Sequence, residues 1–328
     1  MRKIHFLFIL MSFFVLFSCK EVSNQDLKPN VTGKAGELLL VVDDNKWNSR
    51  VGDSLKAVFQ EEVQILPQRE PLFTVVNIPN KAFSNLFETH RSIVRVKISP
   101  KQKKASVILR RDVWAKPQTV FEITAPNDSA FFRLFAKNKD AIVDTLLKDE
   151  RARYLQSFIK FENQEVSRVL KERGVAMHIP KGYNLDVNKD DFMWISHETP
   201  MISQGILIGF IDYKDTAQLE KGNLIYQIDS LLKKNVPGAL KGSYMQIEKR
   251  AEILYKKMLR KGIYTIELRG LWQSEGDFMG GPFVALVSVD TKLNRLVLTF
   301  GYVYAPKYDK RNYMRQVETI LYSLKINK

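Results

Sequence analysis

Two carboxylates, Glu275 and Asp277, stand two residues apart in the segment Gly270-Leu-Trp-Gln-Ser-Glu-Gly-Asp-Phe-Met-Gly-Gly-Pro-Phe283. Paired acids suit glycoside hydrolysis, where one protonates the leaving oxygen and the other serves as base or nucleophile. Gly280 and Gly281 let the backbone reach positive φ or approach another group closely, and Pro282 fixes the entry to the next strand. The same composition describes a tight connection whose acids accept backbone hydrogen bonds. Glu275, Asp277, Gly280 and Gly281 are therefore a candidate functional loop, and catalysis is one of its two readings.

Three histidines follow residue 18: His90, His178 and His197. A zinc site needs three or four ligands at recognisable spacing, and His197-Glu198 lacks the helical HExxH arrangement. Hydrogen-bonded structural histidines are the expectation, with no metal site. The chain carries no G-x-S-x-G elbow, Walker loop or Rossmann glycine pattern, so no cofactor is expected.

Flat rings beside cations are the third chemistry. Trp47, Trp272, Phe278, Tyr302, Tyr304 and Tyr308 accompany Lys307, Lys310, Arg311 and Arg315. Stacking and charge-assisted hydrogen bonds suit glycans or anionic polymers. Trp47, His90, Arg91, Trp272, Lys310 and Arg311 are the candidate binding residues. Against this, Leu296, Leu298, Phe300, Tyr302 and Tyr304 alternate on one face of a strand, as core residues do.

The address of the protein is written at its start. Arg2 and Lys3 precede an apolar run, Phe6 to Phe17, too short to span a membrane and proportioned as a secretory signal. Leu16-Phe17-Ser18-Cys19 follows and resembles a bacterial lipobox. Cys19, the only cysteine, is the expected lipidation site, and acyl chains such as palmitate would hold the protein to a membrane. Lys20 in place of aspartate implies the outer membrane, and Cys19-Lys20-Glu21 resembles an export signal of Bacteroidota surface lipoproteins. Periplasmic and surface faces both stay open.

The chain of 328 residues carries a net charge of +15; residues 1–18 hold two basic and no acidic side chains, leaving +13 on the mature chain. In an envelope such charge points to anionic lipid headgroups, lipopolysaccharide or acidic glycans rather than nucleic acid. A solvated, lysine-rich surface gives the same balance. With no second cysteine there is no internal disulfide, and packing alone holds the fold.

The elements that must position these residues fall into two sets. Residues 1–18 are the lipoprotein signal, 19–35 a polar tether, 36–165 an N-terminal α+β domain and 166–328 a C-terminal α+β domain. In the first, strands at 37–42, 72–78, 93–98, 106–113 and 119–123 are expected to form a largely antiparallel set. A long helix then opens near Asp128, with Lys148, Asp149, Glu150, Arg151 and Arg153 on its solvent face, and runs on towards Gly174. In the second, a helix near 224–232, strands to 304 and a closing helix at 313–324 describe an antiparallel sheet covered by helices. This order resembles a PsbP-type α/β/α sandwich.

Several stretches resemble the Bacteroidota lipoproteins gathered as domain of unknown function family 4837. They are Gly33-Lys-Ala-Gly-Glu-Leu-Leu39 with Trp47, Phe73-Thr-Val-Val-Asn-Ile-Pro79, His90-Arg91, the Gly270–Phe283 segment, Gly301-Tyr-Val-Tyr-Ala-Pro306 and Lys310-Arg311. The likeness runs through the mature chain and implies an envelope location without an activity. The leading expectation is a non-enzymatic, lipid-anchored envelope protein that binds a protein partner or anionic polymer. The alternatives are a glycan hydrolase using Glu275 and Asp277, and a purely structural or assembly lipoprotein.

Overall fold

The computed structural model describes residues 28–326, so Cys19, the signal and most of the tether lie outside the described residues. The N-terminal half is a five-stranded sheet in the order β2-β1-β3-β5-β4, made of β1 (Glu37–Val41), β2 (Thr74–Ile78), β3 (Ser92–Ile98), β4 (Ser106–Arg111) and β5 (Thr119–Ala125). The expected antiparallel character is found only between β4 and β5. The pairs β1–β2, β1–β3 and β3–β5 are parallel. The apolar run Leu38–Val41 is fully buried, as a strand covered on both faces must be. The alternation in Ile93–Ile98 suggested one wet face, but Arg95 is instead covered, donating to Asn80 and lying 4.8 Å over the Phe83 ring.

Two short helices follow β1, α1 (Asp44–Trp47) and α2 (Arg50–Phe59), the latter capped by Ser49, whose hydroxyl accepts Val51 N at 3.2 Å. The third, α3 (Asn85–Glu88), leads into β3. After β5 comes α4 (Asp128–Lys160), 33 residues opened by Asn127, which accepts from Ala130 N. At about 1.5 Å per residue it is long enough to serve two cores. Phe131, Phe135, Ile142 and Leu146 pack on the N-terminal sheet, whereas Phe158 enters the C-terminal core. The helix does not run on. Asn163 caps a separate α5 (Gln164–Glu172), and Gly174 at φ +76° follows as its stop.

The C-terminal half is a wholly antiparallel sheet in the order β10-β12-β13-β14-β9-β8-β7, with β11 also on β12. Its strands are β7 (Asn184–Asn188), β8 (Phe192–Glu198), β9 (Ser203–Asp212), β10 (Tyr244–Ile247), β11 (Leu254–Arg260), β12 (Ile263–Glu275), β13 (Gly280–Asp290) and β14 (Arg295–Tyr304). A short β6 (Val175–Ala176) pairs with β15 (Lys325–Ile326) beside it. One face is covered by α6 (Lys221–Asn235) and the other by α5 and α7 (Arg311–Ser323), each over its own apolar cluster. The chain is α+β, and this half is an α/β/α sandwich. Tyr302 and Tyr304 belong to the α6-side core, as their alternation implied.

Packing of α7 on β14 depends on Gly301. A Cβ there would stand 2.3 Å from Val317 Cγ1, so the close approach requires the missing side chain. Gly301→Val should therefore lower stability by about 1–3 kcal/mol through overpacking. A lower urea midpoint at unchanged slope is the expected result.

Candidate binding site between the two sheets

The start of α7 has no cap of its own, because the Lys310 side chain at that position makes no hydrogen bond to the helix. A carboxylate from the other half supplies it. Glu70 Oε1 accepts Lys310 N at 2.6 Å and Oε2 accepts Arg311 N at 2.8 Å. Both N–H groups are among those a helix leaves unpaired at its N-terminus, and the negative charge suits the helix dipole. Glu70 and Lys310 are each 4% exposed, so this junction is dry. Around it Arg311 donates to Pro71 O (2.6 Å) and Thr74 Oγ1 (3.1 Å), Asn312 to Ala35 O, and Arg315 to Leu72 O (2.5 Å).

Glu150 is the second anchor. It accepts Gly36 N at 3.2 Å and both Nε and Nη2 of Arg153, while Arg91 Nε stands 3.5 Å away. Arg153 continues to Ser92 Oγ at 2.8 Å. Glu150 and Arg153, expected on the solvent face of α4, are buried. The reason is that this turn of α4 lies against Gly36, Arg91 and Ser92 of its own half, which cover the face that would otherwise meet water. Beside this pair His90 Nε2 lies 2.7 Å from Glu37 Oε1, and its ring fills the space over Gly33, at φ +88°. Gly36, at φ +74°, is enclosed by Arg311, Asn312 and Arg315.

A cavity of about 360 Å³ opens along the seam, bounded by loop 61–66 on one side and by Arg151, Arg269, Arg311, Arg315 and Glu318 on the other. Glu318 is buried, yet Arg269 (3.0 Å) and Arg151 bind it. Burial pushes the Glu318 carboxyl up, but these two cations outweigh it and hold it below its usual range. Burial likewise pulls the Arg269 guanidinium down, and Glu318 and Glu267 reverse the effect. Arg315 has no such partner. Burial, then the neighbouring Arg311, lowers its guanidinium to about 10. Arg315 Nη1 is without a hydrogen bond, as are Arg91 Nε and Tyr154 Oη nearby. Arg315 lines the cavity, while its Nη1 is turned to Gly36; four guanidiniums around one cavity suit an anion.

Of the expected binding residues, His90, Arg91, Lys310 and Arg311 thus meet at one seam, although 220 residues separate them in the chain. Trp47 does not join them; it packs on the N-terminal core beneath Lys56 Nζ, 4.6 Å from its ring. Trp272 is buried in the C-terminal core, edge-on to Tyr302 at 5.4 Å. The expected loop is shorter than its composition suggested. Pairing continues to Gln273 opposite Gly280, leaving Gly276–Met279 as the turn and placing Glu275, Gly280 and Gly281 in strands. Positive φ falls on Gly276, while Gly281 provides a close approach: a Cβ there would stand 2.1 Å from Val303 O. Glu275 is exposed and accepts from Gln246 Nε2 at 2.6 Å; Asp277 Oδ1 accepts Phe278 N. Neither acid lines the seam cavity. Glu70, Glu150, Arg153, Arg269 and Glu318 were missed, since each reads in sequence as an ordinary surface charge.

Comparison with known proteins follows the same division. Residues 162–323 match the family described as Domain of unknown function (DUF4837), and residues 31–159 match Domain of unknown function (DUF8532). Both matched families are domains of unknown function, one over each half of the chain. The likeness to family 4837, read through the whole mature chain, is shown over the C-terminal half. No curated protein matches the sequence. Among solved structures, the Saccharomyces cerevisiae Ran-binding protein Mog1p is 9% identical, with TM-score 0.32, covering 47% of this chain and 90% of its own. The lipid transfer and protein localization domain of human StarD13 is 12% identical, with TM-score 0.23, covering 48% and 95%. Likenesses of this degree bear on neither the seam nor its chemistry.

Glu70→Ala should remove the cap of α7 and leave Lys310 and Arg311 without their carboxylate. We expect a loss of about 2–4 kcal/mol, combining a lost cap with unpaired buried charge. Chemical denaturation reads it directly. An unchanged midpoint would show that Glu70 does not tie the halves together.

Proposed function

We propose that the protein is a lipid-anchored, non-enzymatic component of the bacterial outer membrane that binds an anionic group of an envelope polymer at the seam between its two sheets. The cluster of Arg151, Arg269, Arg311 and Arg315 on the cavity wall, with Arg315 bound to no carboxylate among the described residues, carries this reading. Four guanidiniums line the cavity, and the carboxylate of Glu318 is shared by two of them. Phosphate or carboxylate oxygens would give charge-assisted bonds to Arg311 and Arg315, the two guanidiniums that Glu318 does not hold. The mature charge of +13 favours approach of such a polymer. The N-terminal pattern ending at Cys19 supports the anchor and the envelope location.

Inorganic phosphate should raise the thermal midpoint of the full chain beyond the effect of sodium chloride at equal ionic strength. At 100 times its dissociation constant, a ligand adds about 2.7 kcal/mol of stability. Arg315→Met should abolish the response and leave the unliganded fold at least as stable, because an unpaired buried charge costs stability. Absence of any anion-specific stabilisation in the parent protein would overturn the proposal. Affinity should also weaken as pH rises through about 10, the depressed Arg315 value, because the cation is the binding form. Below that pH the charged group costs folding stability, and the cost fades as it deprotonates.

The anchor has its own test. Cys19→Ser should move the protein out of the membrane fraction, and retention there would refute lipidation at that residue.

A further inference from the structure

A second cleft, of about 400 Å³, opens at one end of the C-terminal sheet and shares no lining residue with the seam cavity. Its origin is a mismatch of lengths. The 15 residues of α6 span about 22 Å, whereas the 13 residues of β12 span about 44 Å. Past Asn235 the covering passes from helix to the loop Val236–Ala239 and the turn Thr199–Ile202. Under these loops lie Trp194, Trp272, Tyr302 and Tyr304.

The polar inventory of the cleft identifies what suits it. Ser274, 7% exposed, keeps its Oγ without a partner, with Gly238 of the covering loop over it. Trp194 Nε1 also lacks a partner of hydrogen-bond geometry, with the Tyr302 hydroxyl as its neighbour. Glu198, at the rim, accepts from Ser203 Oγ at 2.6 Å. No lysine, arginine or histidine lines the cleft, so an anion would meet a carboxylate and no cation. An acyl chain would fill the aromatic walls but leave Ser274 Oγ unpaired, a cost for any buried polar group.

We propose that this cleft binds a neutral saccharide ring. A sugar presents a C–H face to flat aromatic walls and hydroxyls at its edge, which would pair Ser274 Oγ, Trp194 Nε1 and Glu198. The cleft volume falls within the range of small-molecule sites. The site is independent of the anion reading, because the two cavities are built from different residues.

The test titrates the full chain, in a detergent without a sugar headgroup, with maltohexaose, cellohexaose and chitohexaose. Tryptophan fluorescence is the readout, since Trp194 and Trp272 are two of the four tryptophans and both line the cleft. We expect a saturable change with at least one oligosaccharide below about 1 mM, the range of a binding energy near 4 kcal/mol. Tyr304→Ala and Ser274→Ala should each weaken it at least fivefold at unchanged circular dichroism. Ser274→Ala decides the matter if Tyr304→Ala does not fold. Arg315→Met should bind the sugar as the parent does, which separates this site from the seam. No saturable response to any of the three sugars, or a response indifferent to Ser274→Ala, would overturn the proposal. So would saturation by decanoate without saccharide binding, which would make the cleft an acyl site.

Discussion

The dry contact between Glu70 and the first turn of α7 is the constraint on which the rest depends. One carboxylate satisfies two backbone donors about 240 residues away and joins a loop of the N-terminal half to a helix of the C-terminal one. Without it the N-terminus of α7 would be buried with unpaired N–H groups, a costly state for any helix end. Because α7 also covers one face of the C-terminal sheet, its position fixes Arg311, Asn312 and Arg315 against Gly36 and the strand entering at Leu72. The seam is thus built by backbone chemistry first, and its charged side chains follow.

The seam then divides into closed and open parts. Glu150 with Arg153, and Glu318 with Arg151 and Arg269, each match charge against charge, and Glu37 Oε1 lies 2.7 Å from His90 Nε2. Arg315 is left without a carboxylate, its guanidinium carbon 5.4 Å from the Phe73 ring centre and its Nη1 turned to Gly36 without a hydrogen bond. Buried polar groups are nearly always satisfied, and Arg315 Nη1 is an exception among the described residues. The aromatic cleft repeats this logic with neutral groups, where Ser274 plays the part that Arg315 plays at the seam.

Two glycine-containing segments show how similar composition serves different ends. Gly33 and Gly36 are held at positive φ and let His90 and the α7 side chains close over the backbone. Gly280 and Gly281 sit in a strand, where Gly281 admits the Val303 carbonyl and brings Trp272 beneath the sheet end. The first pair shapes the seam, and the second shapes one wall of the aromatic cleft.

The sequence by itself determined the α+β class, the buried strand at Leu38–Val41, the antiparallel run that ends at Tyr304 and the core side of Tyr302, because apolar periodicity is local and survives reading one segment at a time. It also singled out His90, Arg91, Lys310 and Arg311 as residues of interest. Strand direction in the N-terminal sheet was beyond it, since the alternation of Ile93–Ile98 looks the same whether the second face meets water or covered polar groups. The burial of Glu150 and Arg153 was equally invisible: a charged helical turn reads as solvated until Gly36, Arg91 and Ser92, distant in the chain, are brought against it. Only the tertiary structure decided that four residues from opposite ends of the chain share one seam. Long-range pairings such as Glu70 with Arg311 are set by how whole layers dock, and no spacing along the chain encodes that.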